Sequence, residues 1–196
     1  MSNSGASIAL NTPKYPHNVG AVLRAASCYG ARSVAFDGNR VVERVLEAGR
    51  MPREERLRGY KNVGLYHTED PHLFLKKQMM EEYPGKIVVP VAVEMRPNSE
   101  CLFDFEHPEN AVYVFGPEDG SIDPRVLSKC QRFVVIPTLH CTNLAAAVYT
   151  ILFHRALQQY QQTGIKPTDL ELEPVSDDEN VALFVKAMEK KLMERR

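Results

Sequence analysis

Three segments of this sequence combine residue types that could grip an anion, orient a hydroxyl group and receive a ligand against main chain. The first runs Asn11-Thr-Pro-Lys-Tyr-Pro-His-Asn-Val-Gly-Ala-Val-Leu-Arg-Ala-Ala-Ser-Cys-Tyr-Gly30. From Asn18 onward its residues are apolar or small nearly throughout, and Arg24 is the single charge. A guanidinium cannot give up its proton and is costly to bury alone. Arg24 therefore needs a carboxylate, a group of carbonyls or a substrate anion, and an internal ion pair satisfies that need as well as an anion clamp does. Lys14 and His17 read as ordinary surface polarity of the loop before the helix. The second segment, Val112-Tyr-Val-Phe-Gly-Pro-Glu-Asp-Gly-Ser-Ile122, takes an apolar strand into a loop with two glycines and two carboxylates. Gly116 and Gly120 would let a ligand approach the backbone closely, whereas a plain strand–helix turn capped by Asp119 is the simpler structural use. The third, Phe133-Val-Val-Ile-Pro-Thr-Leu-His-Cys-Thr-Asn-Leu-Ala-Ala-Ala-Val148, again ends a strand in a short loop and opens a helix at Thr142 or Asn143. Asn143 is a good N-cap in its own right.

These residues need a scaffold that brings loop ends together. Short β-branched runs at 7–10, 33–36, 63–67, 86–93, 112–115 and 133–136 alternate with helical stretches at 19–29, 71–82, 124–130 and 143–159. Strands without in/out alternation, separated by helices, predict an α/β fold with a parallel sheet covered on both faces. Ligands of such sheets sit beyond the carboxyl ends of the strands, where all three segments fall. The helix from Asn143 to Gln159 is apolar nearly all round, which predicts a place at the centre of the fold or in a homodimer interface.

The chain has 196 residues, 44% hydrophobic and 25% charged, the balance of a globular protein. That composition excludes disordered, collagenous and disulfide-scaffold classes. No apolar run is long enough for a membrane span, and the N-terminal Met-Ser-Asn-Ser-Gly lacks signal-peptide character. Net charge is −1, so nucleic acid would be met by a local patch rather than by the whole surface. Between Arg32 and Lys61 eight Lys/Arg stand against five Asp/Glu. That stretch reads either as a solvated, ion-paired helical face or as a basic lobe that meets phosphates. Four cysteines without CxxC spacing predict reduced thiols and a cytoplasmic protein, and six scattered histidines predict no metal site. After Gln162 the chain turns acidic, with six Asp/Glu among the eleven residues 169–179. Val181, Phe184, Val185, Met188 and Leu192 then recur at helical spacing. We therefore expect a main domain over 1–162, and an acidic linker with an amphipathic helix over 163–196.

No Gly-x-Gly-x-x-Gly, Walker or Gly-x-Ser-x-Gly motif is present. The order of the three segments is more specific than any one of them, and it resembles the SpoU/TrmH branch of the SPOUT RNA 2′-O-ribose methyltransferases. Asn18-Val-Gly-Ala-Val-Leu-Arg24 matches the family's first motif, and Phe115-Gly-Pro-Glu118 the second. Ile136-Pro137 followed by Cys141-Thr-Asn143-Leu144 matches the third. The sequence departs from the family where Cys141 replaces a serine and where Ser121-Ile122 replaces Gly-Leu.

The resemblance implies a parallel sheet flanked by helices with a C-terminal deep trefoil knot, a homodimer, S-adenosylmethionine as cofactor and RNA as substrate, tRNA before rRNA. It implies methyl transfer to a ribose 2′-hydroxyl, with Arg24, Asn18, Glu118 and Asn143 as catalytic residues. On this reading Arg24 clamps phosphate and stabilises developing alkoxide charge, and Glu118 fixes the arginine or another binding group. Asn18 orients Arg24 or the ribose. Val93, Gly116, Ile136, Cys141 and Leu144 would bind the cofactor, largely through main chain. The departures at Cys141 and Ser121 keep open an RNA-binding protein of the same fold without methyl transfer. An unrelated α/β enzyme for a small phosphorylated metabolite, with Arg24 as its anion clamp, is the other alternative.

Overall fold

The computed structural model describes residues 5–48, 62–68, 70, 75 and 82–171. Seven strands form one sheet: β1 (Gly5–Leu10), β2 (Ser33–Asp37), β3 (Gly64–Thr68), β4 (Val89–Val93), β5 (Glu100–Cys101), β6 (Asn110–Phe115) and β7 (Arg132–Val135). The order across the sheet is β3-β2-β1-β6-β4-β7-β5, and every pairing is parallel. Four helices are described: α1 (Pro16–Cys28), α2 (Arg40–Ala48), α3 (Pro124–Leu127) and α4 (Leu144–Thr163). The predicted α/β class and all six predicted strands are present. The two-residue β5 was not foreseen, because Glu100-Cys101 carries no apolar run and pairs only along the edge of β7.

Alternate residues of the central strands enter opposite apolar layers. Ala6, Ile8 and Leu10 of β1 join Tyr113 and Phe115 of β6 under α1 and α4, whereas Ala9 joins Val112 and Val114 with Val126 of α3. Both faces are buried, which is why these strands read as continuous apolar runs. From β1 the sheet grows outward through β2 to β3 on one side, and through β6, β4 and β7 on the other. The strand order thus reverses at β1/β6, the crevice where ligands of open α/β sheets bind.

Several local expectations change. Helix α1 begins at Pro16 with Tyr15 as N-cap, not at Asn18. A proline at the first helical position is preorganised and has no N–H to leave unsatisfied, so Asn18 lies within the first turn with its amide free for other partners. Helix α3 is capped by Asp123, whose side chain accepts from the Arg125 N–H, so Asp119 is not the cap. Helix α4 extends to Thr163, and Gly164 ends it in the left-handed region at φ 73°. It is not buried all round. Leu144, Ala145, Val148, Ile151, Leu152 and Arg155 face the core, whereas Phe153, Leu157 and Tyr160 are 56%, 41% and 45% exposed. The helix expected over 71–82 and the C-terminal helix beyond 171 fall, apart from Leu75 and Glu82, outside the described residues.

Candidate active site

The loops after β1, β4, β6 and β7 converge on a cleft of about 570 Å³. Asn18, Val93, Gly116, Glu118, Ile136, Cys141, Asn143 and Leu144 all line it. A relay of hydrogen bonds ties the three motif segments together at its floor. Glu118 Oε1 accepts from Asn18 Nδ2 at 2.5 Å, and Glu118 Oε2 accepts from the Lys14 N–H at 2.7 Å. Asn18 Oδ1 in turn accepts from Asn143 Nδ2 at 3.1 Å. Asn143 Oδ1 caps α4, accepting from the N–H groups of Ala145 and Ala146 at 2.8 and 3.3 Å. The relay fixes which way each amide points, because a carboxylate only accepts and each amide must donate at one end and accept at the other. Asn18 itself is 3% exposed.

The expectation of a buried Arg24 is corrected here. Arg24 is not buried: it is exposed and makes no hydrogen bond or ion pair with another described residue. Six residues along a helix turn through a full circle and about 240° more, so Arg24 sits about 120° around α1 from Asn18. Glu118 therefore fixes Asn18 and the Lys14 backbone, not Arg24. Arg24 stands near Tyr149 of α4, whose hydroxyl is pushed up by burial and drawn back by the guanidinium. Among the described residues the buried guanidinium is Arg155, 3% exposed, which donates to the carbonyls of Pro108 and Glu109 at 2.6 Å each. Gly116 is tight for an internal reason. A Cβ there would come within 3.1 Å of the Ile122 nitrogen and 3.3 Å of the Ser121 carbonyl carbon, so the glycine lets its own loop fold back. Gly120 would carry a Cβ in ordinary contact with Pro117.

Glu94, which sequence reasoning did not single out, also lines the cleft. Its Oε2 is buried without a hydrogen-bond partner among the described residues. A buried carboxylate oxygen with no donor costs free energy, and the cleft gives it a place to receive one. No sequence signal marked it, since a lone Glu after an apolar strand is common on surfaces. At the rim, Asp119 bridges Lys14 and Arg40, and these donors hold its carboxyl well below the usual carboxylate range.

This geometry joins the three motifs in one cleft, and the comparisons with known proteins agree. The model of the SpoU rRNA Methylase family matches residues 5–153. The chain belongs to that family. Among solved structures, the SpoU methyltransferase AviRb from Streptomyces viridochromogenes, in complex with AdoMet, superposes with a TM-score of 0.67 at 19% identity. That match covers 81% of this chain and 59% of AviRb, so the chain spans about three fifths of that relative's length. The A. aeolicus TrmH/SpoU tRNA modifying enzyme gives a TM-score of 0.65 at 18% identity, covering 98% of this chain and 89% of that one. A structure described as giving insights into the 2-OH methylation of C/U34 on tRNA gives 0.62 at 23%, covering 82% and 97%. No curated protein matches the chain in sequence. For this SpoU chain the departures are both local: Cys141 and Ser121 are exposed residues of the cleft wall. Among the described residues no group of His, Cys, Asp and Glu is placed to hold a metal ion. No described helix is long and apolar enough to cross a membrane.

Proposed function

We propose that this chain is an S-adenosylmethionine-dependent methyltransferase acting on a ribose 2′-hydroxyl of RNA, with tRNA as the substrate class, and that it works as a homodimer in the cytoplasm. The observation that carries this reading is the Asn18–Glu118–Asn143 relay, which joins the three family motifs at one cleft where the strand order reverses. The cleft suits the cofactor. Val93, Phe115, Ile136 and Leu144 offer an apolar slot for adenine, and Glu94 Oε2 offers an acceptor for one of the cofactor's N–H or O–H donors. When bound, S-adenosylmethionine supplies an electrophilic methyl group on a sulfonium that departs as a neutral thioether.

The protein then has to place the 2′-oxygen in line with that methyl and to ease loss of its proton. Asn18 is held rigidly by Glu118 and Asn143, so it presents the first turn of α1 to the ribose in a fixed geometry. Arg24 clamps an RNA phosphate and stabilises negative charge developing on the 2′-oxygen, since a guanidinium is a poor base and a strong bidentate donor. It lies outside the cleft of its own protomer, on the side of α1 near Tyr149, which stands one turn before the exposed Phe153 on α4. In a homodimer sealed along that face, Arg24 of one copy serves the cleft of the other. The knotted C-terminal path of the family would pass the loops after β6 and β7 around this cleft. The preference for tRNA is supported by the overlay of this chain on 89% of the tRNA modifying enzyme from A. aeolicus. Free thiols at Cys28 and Cys141, both exposed, suit a reducing compartment. Mass spectrometry of nucleosides from cells with and without the gene tests the reading. One 2′-O-methylated nucleoside should vanish from the tRNA fraction of the deletion, and an unchanged set of ribose-methylated nucleosides would count against it.

A further inference from the structure

At the mouth of the cleft two cations crowd one aromatic ring, and a third stands close by. Lys14 Nζ lies 5.4 Å and Arg44 Cζ 4.9 Å from the centroid of the Tyr15 ring. Tyr15 stacks on the exposed His17 at 5.3 Å with 24° between the planes, and both rings line the cleft. Arg40 stands one turn before Arg44 on α2, whose apolar side buries Val41 and Val45. The fork of Arg40 is filled by Asp119, which accepts at 3.1 and 2.8 Å, and Lys14 joins the same carboxylate at 3.0 Å. Arg44 forms no ion pair with a described residue, and Glu43 and Glu47, the other charges of α2, pair with neither arginine.

This layout has a charged outer margin and an aromatic inner one. A nucleic-acid strand has the same polarity, with phosphates on one side and bases on the other. The bidentate seat that Asp119 occupies on Arg40 is also the seat a phosphate takes. Exposed ion pairs of this kind add little to stability, so exchanging Asp119 for a phosphate costs little. A small metabolite would need only one such anion seat, whereas the cations here spread over a loop and a separate helix.

We propose that Lys14, Arg40 and Arg44 grip phosphates of the RNA strand at the cleft mouth, that Asp119 is an internal stand-in which the strand displaces, and that His17 stacks a base of that strand. The assignment rests on the RNA reading given above. It names residues outside the three motifs, and it makes the basic stretch after β2 a functional surface rather than a solvated face.

Fluorescence anisotropy of a labelled RNA stem-loop across a potassium chloride series tests it, with S-adenosylmethionine affinity measured in parallel by calorimetry. Arg40→Ala and Arg44→Ala should each lower the slope of log Kd against log salt by about one, with cofactor affinity unchanged. His17→Ala should weaken binding by about fivefold or more at every salt concentration and leave the slope alone. Asp119→Asn should tighten binding by about twofold to fivefold. Arg125→Ala, an exposed residue of α3, serves as the control and should change nothing. Salt slopes unmoved by both arginine variants, a slope lowered equally by Arg125→Ala, or weaker binding by Asp119→Asn would overturn the assignment while leaving the methyltransferase reading intact. A wild-type protein that binds the cofactor but no RNA at low salt would refute both.

Discussion

Glu118 has both oxygens engaged, one by a side-chain amide and one by a backbone N–H. That makes it a hub between the loop after β6 and the start of α1, and it explains why an acid stands there. Asn18 and Asn143 complete the hub, and their types and spacing made them visible as candidates before any geometry. The arginine was harder. An apolar run around Arg24 looks the same in sequence whether the helix is enclosed or presents one narrow exposed stripe. The buried guanidinium was instead Arg155, one of many polar residues in the second half of α4. Glu94 was not legible either, because its lack of a partner arises only when β4, β6 and β7 come together. It carries a prediction. Glu94→Gln should keep the fold and lower S-adenosylmethionine affinity by about tenfold, the range for a hydrogen bond to a charged acceptor. Titration calorimetry reads it directly, and undiminished affinity would remove Glu94 from the cofactor site.

The elements position these residues through their ends. Pro16 starts α1 three residues earlier than the predicted start at Val19, and this places Asn18 inside the helix as a site residue rather than before it as a cap. The propensity of Asn for caps was a sound prior, overruled by the stronger preference of proline for the first helical position. In α4 the cap and the site coincide, since Asn143 both caps the helix and donates to Asn18. The same helix leaves a row at heptad spacing open to solvent: Ala146, Thr150, Phe153, Leu157 and Tyr160. Such a row is the seam of a helix pair, and its register was hidden in sequence by the apolar residues on the opposite face. Light scattering should give the protein about twice the 22.1 kDa of one chain. Leu157→Arg should halve that value by placing an unpaired charge in the seam. A wild-type monomer at micromolar concentration would contradict the dimer and, with it, the route by which Arg24 reaches a cleft.

Across the whole molecule, a parallel sheet with both faces covered follows from strands that lack alternation, and this much was legible. The edge strand β5 was not, nor was the buried cluster that locks α4 to the loop before β6. There His107 meets the Tyr113 hydroxyl at 2.6 Å and His154 at 2.8 Å. Burial first, then the charge of Arg155, lowers His107 to about 3 from an ordinary 6.5. The folded state therefore stays neutral there while the unfolded chain takes up a proton below pH 6.5. Stability from this group is whole above that pH and falls by about 1.4 kcal/mol per pH unit on the way down to the folded value. Urea unfolding of His107→Gln should show a shallower loss between pH 6 and 4 than wild type, and parallel curves would refute that origin. The α/β scaffold brings its strand ends to one cleft, whose chemistry is the central claim. Its most direct test is transfer of a labelled methyl group from S-adenosylmethionine to unmodified tRNA, followed by digestion to nucleosides. The label should appear as a 2′-O-methylated nucleoside with wild type and be nearly absent with Arg24→Lys, which keeps the charge but loses the planar fork. Label on a base, or full turnover by the lysine variant, would contradict the account.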